Sequence, residues 1–325
     1  MKAIVTGGAG FIGSHVTELL VARGHEVIVI DSLCSGKKSH LDGVDVALHQ
    51  VDIRNFSQIA PLFHGVDWVF HLAGLADTVP AIERPTEYYQ TNVDGTFYVL
   101  ESARAARVKK VVYAASSSCY GLVEPIPTTE EAAISLQHPY AVTKHLGETL
   151  VMHWGKIYRL PVVSLRLFNV YGPRSRTSGT YGAVFGTFLA QKLHGQPMTV
   201  VGDGTQTRDF VYVTDVAHAF YQAASMPVHG EIFNVGSGCE QAINDLVALL
   251  GGEVIHIPKR PGEPMRTCAD ISKIQRALQW SPHVSFHEGV QRLLATIHEY
   301  RDAPVWDAEA IAKITHPWFK HLGVL

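Results

Sequence analysis

Short apolar runs alternate with segments of helical pattern through the first half of the chain, and this alternation limits the fold more than any other feature. Val and Ile dominate the runs, and each run is bounded by Gly, Asp or Ser. The runs read KAIVTG, EVIVID, DVALHQVD, VDWVFHLAG and KKVVYAASS. Strands buried on both faces of a parallel sheet have this composition, and helices form the crossovers between them. The sequence therefore predicts an α/β fold built on a doubly wound parallel sheet.

The character of the chain changes after residue 170, where the segments become shorter and more mixed. At 325 residues the chain also exceeds one typical domain. Two later segments, RDFVYVTDVAHAF and GEIFNVGS, again have the pattern of sheet strands. We therefore expect residues 1–170 to form the main domain, with a return of the chain around residues 208–236. Residues 171–325 are expected to form mainly a smaller, mixed α/β lobe that binds the substrate.

Composition and charge favour a small-molecule partner. Apolar residues make up 46% of the chain and charged residues 18%, as in a globular protein with a sizeable core. The formal charge of -3 offers no basic surface for nucleic acid or an anionic membrane. No apolar run is long enough to span a bilayer, and the first residues lack the pattern of a secretion signal. We expect a cytoplasmic protein with no nucleic-acid partner and no membrane partner.

Cysteine and histidine spacings give no indication of a metal site or a disulfide framework. The four cysteines lie far apart, and none belongs to a CxxC pattern. The 18 histidines are scattered, with no HExxH or similar spacing. We therefore predict no bound metal.

A glycine-rich turn, VTGGAGFIGSH, follows the first predicted strand and opens the first predicted helix. Gly7, Gly10 and Gly13 give a GxxGxxG spacing, and Gly8 completes GxGxxG as well. Glycines at these points allow a tight turn and a close approach of the backbone to a pyrophosphate, while the helix N-terminus favours the anion. The turn therefore predicts a Rossmann dinucleotide-binding domain. The turn residues predicted to bind the cofactor are Gly7, Gly10, Phe11, Ile12 and Gly13.

An acidic residue at the end of the second predicted strand favours NAD over NADP. Asp31 lies near the distance from Gly13 at which a carboxylate binds the adenosine ribose diol. A carboxylate at this position would repel a 2′-phosphate. Two later strand ends extend the predicted cofactor site, one beside the adenine and one beside the middle of the dinucleotide. Their residues are Asp52 and Ile53, then Leu72, Ala73 and Gly74.

The stretch HPYAVTK places Tyr140 and Lys144 four residues apart, on one face of a helix. A free phenol has a pKa of about 10, so it needs nearby positive charge to act as a base near neutral pH. Lys144 and a positively charged nicotinamide ring would both favour the phenolate. Ser116 lies at the end of a predicted strand, where ligand sites of open α/β sheets gather. The three side chains are therefore candidates for one catalytic site.

The glycine-rich turn, Asp31, HLAG, NVDGT, SSSCYG and YAVTK occur in this order along the chain. In this series the chain resembles the extended short-chain dehydrogenase/reductase family, and within it the nucleotide-sugar 4-epimerases. The resemblance implies bound NAD and a catalytic set of Ser116, Tyr140 and Lys144, of which Tyr140 and Lys144 also contact the cofactor. It implies that Asn92 of NVDGT supports the lysine at the cofactor. It also implies a homodimer formed through a four-helix bundle.

The residues after Ser116 discriminate between the reactions of this family. Related 4,6-dehydratases have Asp and Glu directly after the catalytic Ser or Thr, and decarboxylating relatives have Glu two residues after it. Ser117 and Ser118 stand here, so we expect a 4-epimerase in which Tyr140 removes the C4 hydroxyl proton and a transient 4-keto sugar turns over. Ser117 and Ser118 are predicted to bind substrate and are alternatives to Ser116. A 4,6-dehydratase, a 4-reductase and an inactive NAD-binding sensor are the alternative functions.

Later residues resemble the sugar-nucleotide anchor of these epimerases. Asn169 would bond a phosphate, Arg208 would clamp the diphosphate, and Arg260 with Glu263 would hold the diphosphate and the uridine ribose. The family often has Asp where Glu263 stands. At the position of Thr267, epimerases restricted to glucose and galactose have Tyr, so the small residue predicts a pocket open to a 2-acetamido group. The expected substrate is a UDP-sugar, with thymidine as the alternative base.

Charged residues near the predicted sugar end give conflicting indications about its 6-substituent. Asp77 could select against a C6 carboxylate, whereas Arg174 and Arg176 could favour a uronic acid. The substrate therefore stays open between UDP-GlcNAc or UDP-GalNAc and their uronic acid derivatives.

Overall fold

The computed structural model describes residues 1–122, 124–175 and 184–323. The strands are β1 (Lys2–Thr6), β2 (Glu26–Asp31), β3 (Ala47–Gln50), β4 (Trp68–His71), β5 (Lys110–Ser116), β6 (Val162–Leu167), β7 (Asn169–Tyr171), β8 (Met198–Val201), β9 (Thr207–Arg208), β10 (Phe210–Tyr212), β11 (Glu231–Val235), β12 (Gln241–Ala242) and β13 (Val254–Ile257). The α-helices are α1 (Phe11–Ala22), α2 (Phe56–Ile59), α3 (Thr78–Glu83), α4 (Pro85–Tyr89), α5 (Gly95–Ala106), α6 (Pro139–Tyr158), α7 (Val184–Leu193), α8 (Val213–Ser225), α9 (Ile243–Leu250), α10 (Ser272–Leu278), α11 (Phe286–Ala295) and α12 (Ala308–Leu322). Among the helices in these three ranges, none combines the length and the apolar character of a membrane span.

A seven-stranded sheet in the order β11-β6-β5-β4-β1-β2-β3 forms the centre of the molecule. Every neighbouring pair of strands in it is parallel. The chain runs from β1 to β3 toward one edge, then returns to β4 beside β1 and continues toward the other edge. The direction of winding therefore reverses between β1 and β4, and a crevice opens there at the carboxyl ends of the strands. The predicted α/β fold with a doubly wound parallel sheet is confirmed.

The central strands are apolar along their whole length because helices cover both faces of the sheet. Phe70 on β4, for example, is fully buried. One face packs against α1 and α8, and the other packs against α5 and α6. The buried helical residues include Leu20 and Phe220 on the first face, and Leu100 and Val151 on the second.

The later part of the chain builds a smaller mixed α/β region around an apolar cluster of its own. In this part β10 pairs with β7 and β13 with β8 in parallel, while β12 pairs with β9 in antiparallel orientation. Phe188, Met198, Leu246 and Leu293, from four different elements, are buried together. Between these elements the chain returns to the main sheet, where β11 pairs with β6 at the edge.

The last helix, α12, packs against the short helix α3, which borders the crevice. Asp307 caps its N-terminus by accepting a hydrogen bond from the backbone N–H of Ala310 at 2.8 Å. Ile311, Thr315 and Trp318 are its buried residues. They follow helical spacing, so one face of α12 turns toward the rest of the protein.

Candidate active site

A cavity of about 1040 Å³ occupies the crevice and extends into the smaller region. It brings most of the predicted site residues together. Those that line it are Gly7, Gly10, Phe11, Ile12, Gly13, Asp31, Asp52, Ile53, Leu72, Ala73, Gly74, Ser116, Tyr140, Lys144, Asn169, Arg208, Arg260 and Glu263. The predicted residues that do not line it are Asn92, Ser117, Ser118 and Thr267.

Two glycines of the glycine-rich turn have no room for a side chain. Gly7 has a φ of +72°, and a Cβ there would lie 2.7 Å from the backbone nitrogen of Ala73. A Cβ on Gly13 would lie 2.0 Å from the carbonyl oxygen of Gly7. Gly10 caps α1 without a side-chain hydrogen bond, so no side-chain acceptor occupies the helix N-terminus. This close backbone cradle fits the pyrophosphate of a dinucleotide.

Asp31 is buried at the end of β2 and is oriented by the backbone. Its carboxylate accepts hydrogen bonds from the N–H of Ala9 at 3.0 Å and from the N–H of Leu33 at 2.8 Å. Burial raises the pKa of this carboxyl, and the two backbone hydrogen bonds oppose that effect. Each carboxylate oxygen accepts more than one hydrogen bond, so Asp31 can still accept from the two hydroxyls of a ribose.

Asp52, at the predicted adenine end, already has an ionic partner. Arg54 Nη2 lies 2.6 Å from its carboxylate, and the Arg54 backbone N–H donates to it at 2.8 Å. The side-chain hydrogen bonds from Arg54 lower the pKa of Asp52. Arg54 also lines the cavity, and sequence analysis missed it. The local sequence signal for Arg54 was its place as a basic residue two positions after the acidic Asp52.

Tyr140 and Lys144 belong to the first turns of α6, and both reach the cavity. His138 caps this helix, since its Nδ1 accepts a hydrogen bond from the N–H of Ala141 at 3.2 Å. Ser116 ends β5, and its side chain lies close enough to the Tyr140 phenol to influence the pKa of that group. A strand end and a helix start therefore position the three predicted catalytic side chains at one place.

Burial raises the pKa of the Tyr140 phenol, and the charge of Asp77 adds to the increase. The Ser116 side chain acts in the opposite direction. Sequence analysis expected Lys144 to lower this pKa; in the structure burial is the largest effect and raises the pKa instead. The neutral phenol is therefore the more stable form near neutral pH.

Lys144 is also buried, and its Nζ lies 4.4 Å from the centre of the Tyr113 ring. Burial lowers the pKa of Lys144 to about 7, and the charge of Glu148, one turn further along α6, opposes this effect. Glu148 is itself held 2.7 Å from Arg166 on β6. A lysine with this pKa can change its charge at neutral pH.

Ser117 and Ser118 belong to a short 3₁₀ turn, Ser117–Cys119, from which Ser118 contacts Ser116. The hydroxyl oxygens of Ser118 and Ser116 lie 2.8 Å apart, and the Ser118 N–H donates to Ser116 at 3.2 Å. Ser116 is thus the member of the series that reaches the cavity.

Asn92 is buried behind the cavity wall, in the π-helical turn Gln90–Asp94. Its Oδ1 accepts from the N–H of Leu75 at 2.8 Å, and its Nδ2 donates to the Leu75 carbonyl at 3.0 Å. Nδ2 also donates to the hydroxyl of Thr143 at 3.0 Å. Asn92 therefore ties the loop after β4 to α6, at the residue next to Lys144.

Two arginines approach the same carboxylate at the far end of the cavity. Arg208 Nη2 lies 3.0 Å from Glu263 Oε1, and Arg260 Nη1 lies 4.0 Å from Glu263 Oε2. Asn169 lines the same cavity from the start of β7. Guanidinium groups can donate parallel hydrogen bonds to phosphate oxygens, so this group suits a diphosphate.

Thr267 lies beside Asn169. Its Oγ1 donates to Asn169 Oδ1 at 3.5 Å and accepts from the backbone N–H of Asp209 at 3.3 Å. The influence of Thr267 on the cavity therefore passes through Asn169.

Arg174 lies on the cofactor side of the cavity, in contrast to its predicted place near the sugar. Its guanidinium pairs with Glu18 on α1, the helix that follows the glycine-rich turn. His15 on the same helix is hydrogen-bonded to the carbonyl of Pro173 at 3.2 Å. These contacts tie the loop after β7 to α1, and they do not support the interpretation of Arg174 as a sugar-end residue. Arg176 lies outside the described residues.

The C-terminal segment HPWFKHLG, which had no interpretation from sequence, also reaches the cavity. Trp318 of α12 lines it together with Arg260. The segment had one signal, an aromatic residue on the apolar face of a final amphipathic helix.

Replacing Lys144 by Met is expected to change how stability depends on pH. Because the pKa falls from 10.5 to about 7 on folding, the unfolded chain binds more protons than the folded protein between these values. The contribution of Lys144 to the free energy of unfolding therefore rises with pH across this window and is lowest below pH 7. In urea unfolding, Lys144→Met should be more stable than wild type at low pH, and the difference should shrink toward pH 10 or so.

Lys156→Met, at an exposed position of the same helix, is the matched control and should show no such convergence. A difference between wild type and Lys144→Met that stays constant with pH would contradict the lowered pKa.

Comparisons with known proteins agree with this geometry. A sequence model of the NAD dependent epimerase/dehydratase family matches residues 3–236. The UDP-N-acetyl-alpha-D-glucosaminuronate decarboxylase of Bacillus cytotoxicus is 33% identical over 92% of this chain and 98% of its own. The crystal structure of the UDP-glucuronic acid 4-epimerase from Bacillus cereus, in complex with UDP-glucuronic acid and NAD, has a TM-score of 0.86 at 31% identity. It covers 92% of this chain and 99% of its own.

A structure of the UDP-N-acetylglucosamine 4-epimerase from Methanobrevibacter ruminantium, in complex with UDP-N-acetylmuramic acid, has a TM-score of 0.85 at 30% identity. It covers 91% of this chain and 98% of its own. The predicted cofactor, NAD, is confirmed by the family match and by homologous structures that contain it. The predicted relationship to nucleotide-sugar epimerases is confirmed as well. The chain belongs to the NAD-dependent epimerase/dehydratase family of extended short-chain dehydrogenases/reductases.

Proposed function

We propose that the protein interconverts the two C4 epimers of a UDP-sugar that carries a 2-acetamido group. The observation that carries this proposal is a single cavity with three consecutive parts. The glycine-rich turn and Asp31 lie at one end, Ser116, Tyr140 and Lys144 lie in the middle, and the group of Arg208, Arg260 and Glu263 lies at the other. This order suits a reaction in which a dinucleotide held at one end exchanges a hydride with one carbon of a sugar nucleotide held at the other end.

The chemistry divides between the cofactor and the chain. NAD, held by the glycine-rich turn and Asp31, would supply the hydride chemistry at C4. Tyr140 removes the proton of the C4 hydroxyl, and Ser116, in contact with the phenol, can share that proton. Because burial disfavours the phenolate, we propose that protonated Lys144, on the same helix face, stabilises it during proton transfer. The proton then returns to the oxygen when the 4-keto sugar is reduced on its other face.

Turnover of the ring inside the cavity requires an anchor outside the ring. Arg208 and Arg260 can hold the diphosphate, since both guanidiniums converge on Glu263 and lie on the cavity wall. With the nucleotide fixed there, rotation about the bonds to the diphosphate presents either face of C4 to the cofactor side of the cavity.

The residues around Ser116 favour epimerisation over elimination or decarboxylation. Ser117 and Ser118 occupy the positions where sequence analysis expects the acids of dehydratases and decarboxylating relatives. Asp77 is the nearby acid whose charge acts on Tyr140, and it lies on a different loop. A dehydratase that used Asp77 is the second candidate function, because that carboxylate lines the same cavity.

Asp77 also bears on the 6-substituent of the sugar. Its carboxylate shares the cavity with Tyr140, whereas Arg174 is paired with Glu18 on the cofactor side. A negative charge near the reacting carbon disfavours a second carboxylate. We therefore propose UDP-GlcNAc and UDP-GalNAc, with a neutral C6, rather than their uronic acids.

Incubation with UDP-GlcNAc, followed by NMR of the products, should show UDP-GalNAc without net NADH. UDP-GlcNAc should be converted faster than its uronic acid. Tyr140→Phe should lower kcat by roughly 10²–10⁴-fold, since it removes the acid/base group. Tyr158→Phe, at an exposed position of the same helix, is the control and should keep wild-type activity. Formation of a 4-keto-6-deoxy product or of CO₂ would refute the epimerase proposal.

Thr267→Tyr tests the proposed acceptance of the 2-acetamido group. A tyrosine there would crowd Asn169 and the adjoining cavity. Turnover of UDP-GlcNAc should fall by about tenfold or more relative to UDP-Glc, because the acetamido group is the larger substituent. Thr205→Tyr, at an exposed site, is the matched control. An unchanged ratio of the two turnover rates would show that Thr267 does not limit the pocket.

We also propose that a second copy of the chain covers the outer face of α4, α5 and α6. Tyr89, Phe97, Val142 and Leu146 on these helices are between 37% and 48% exposed. Two long helices from each copy would bury these side chains in a four-helix bundle. The family resemblance implies such a bundle, and this proposal assigns it to an exposed apolar face of the described residues.

Light scattering should give twice the monomer mass of 35.6 kDa for wild type. Leu146→Glu should shift the protein toward the monomer, because it buries a charge in the bundle. Ile255→Glu, an equally exposed apolar position on β13, should leave the mass unchanged. A monomeric wild type at micromolar concentration would exclude the dimer.

A further inference from the structure

The C-terminal helix α12 delivers one large aromatic side chain to the cavity. Trp318 lines the cavity and keeps only 8% of its surface exposed. The family match ends at residue 236, so α12 lies beyond it. Neither the family match nor the predicted motifs therefore assign a role to this residue.

Three contacts fix the indole of Trp318. Its Nε1–H donates to the carbonyl oxygen of Pro261 at 2.7 Å. The guanidinium carbon of Arg260 lies 5.8 Å from the centre of the ring. The ring of His138 lies 6.3 Å away, measured between ring centres. A residue held on three sides presents a defined surface to the cavity.

His138 connects this surface to the reacting end of the site. Its ring stacks on Tyr140 with an angle of 5° between the planes and 5.9 Å between the centres. Trp318 therefore contacts Arg260, where the diphosphate would bind, and is connected through the His138 ring to Tyr140, where the C4 hydroxyl would react. In a sugar nucleotide, the hexose ring connects these two groups.

We infer that Trp318 is a substrate-binding residue that packs against the hexose ring, an inference that rests on the proposed function. A pyranose presents C–H groups on its faces, and burying them against an indole is favourable. The face of the indole carries no hydrogen-bond donor or acceptor. It can therefore accept the ring in both orientations that a C4 inversion requires, while polar groups at the two ends fix the position.

Calorimetric binding of UDP-GlcNAc and of UDP to the NAD-loaded protein tests this inference through affinity rather than rate. Trp318→Ala should weaken the binding of UDP-GlcNAc by about tenfold or more. The binding of UDP should weaken by less than about twofold, because UDP lacks the hexose. Trp318→Phe, which keeps a flat apolar ring of smaller area and loses the bond to Pro261, should bind UDP-GlcNAc within about threefold of wild type. Phe319→Ala, an exposed neighbour on the same helix, should bind both ligands like wild type.

Any other pattern of binding affinities overturns the inference. Equal weakening of both ligands by Trp318→Ala would show that the indole only positions Arg260, and unchanged binding would show no role in the site. A loss in Trp318→Phe as large as in Trp318→Ala would assign the effect to the Pro261 hydrogen bond. If Trp318→Ala does not fold, Trp318→Leu takes its place, with the same expected results. A protein that binds UDP-GlcNAc through Trp318 but does not invert C4 would refute the proposed function alone.

Discussion

The parallel direction of all seven central strands is the constraint on which the site depends. Parallel strands place their carboxyl ends at one edge of the sheet, and the reversal of winding between β1 and β4 opens a crevice there. The ends of β1, β2, β4 and β5 then deliver the glycine-rich turn, Asp31, the HLAG backbone and Ser116 to the same cavity. Helices that cover both faces of the sheet make this arrangement possible, and one of them, α6, carries Tyr140 and Lys144.

Burial sets the electrostatics of the candidate catalytic residues. It raises the pKa of the Tyr140 phenol and lowers that of Lys144 to about 7, so it shifts both side chains toward their neutral forms. Neither ion is stable alone, and each becomes more stable when the opposite charge is near. The buried pair of Glu148 and Arg166 sets a fixed charge distribution behind Lys144. Shifted pKa values of this kind favour proton transfer over stable ionisation of either side chain.

Local sequence was enough to predict the parts of the site that lie at strand ends and helix starts. The glycine-rich turn, Asp31, Ser116 and the Tyr140–Lys144 pair each depend on a short segment whose conformation follows from its neighbours. The α/β fold was predictable for the same reason, since Val- and Ile-rich runs are typical of strands covered on both faces.

Residues whose place depends on how distant segments pack could not be located in this way. Arg174 was expected near the sugar, but its loop is tied to α1 by Glu18 and His15. Thr267 reaches the cavity only through Asn169, and Trp318 does so only because α12 docks against α3. No spacing within the chain encodes these contacts, because each joins segments far apart in sequence.

The shared carboxylate of Glu263 has a consequence for how a nucleotide would enter and leave. Arg208 and Arg260 already have an internal counterion, so a diphosphate would exchange with an existing partner instead of meeting two bare cations. The exchange keeps the two guanidinium groups from repelling each other between catalytic cycles. It also lowers the net affinity for the nucleotide, since Glu263 pairs again with the two arginines when the nucleotide leaves. For a catalyst of a reversible reaction, such moderation protects the rate in both directions from slow release of a tightly held product.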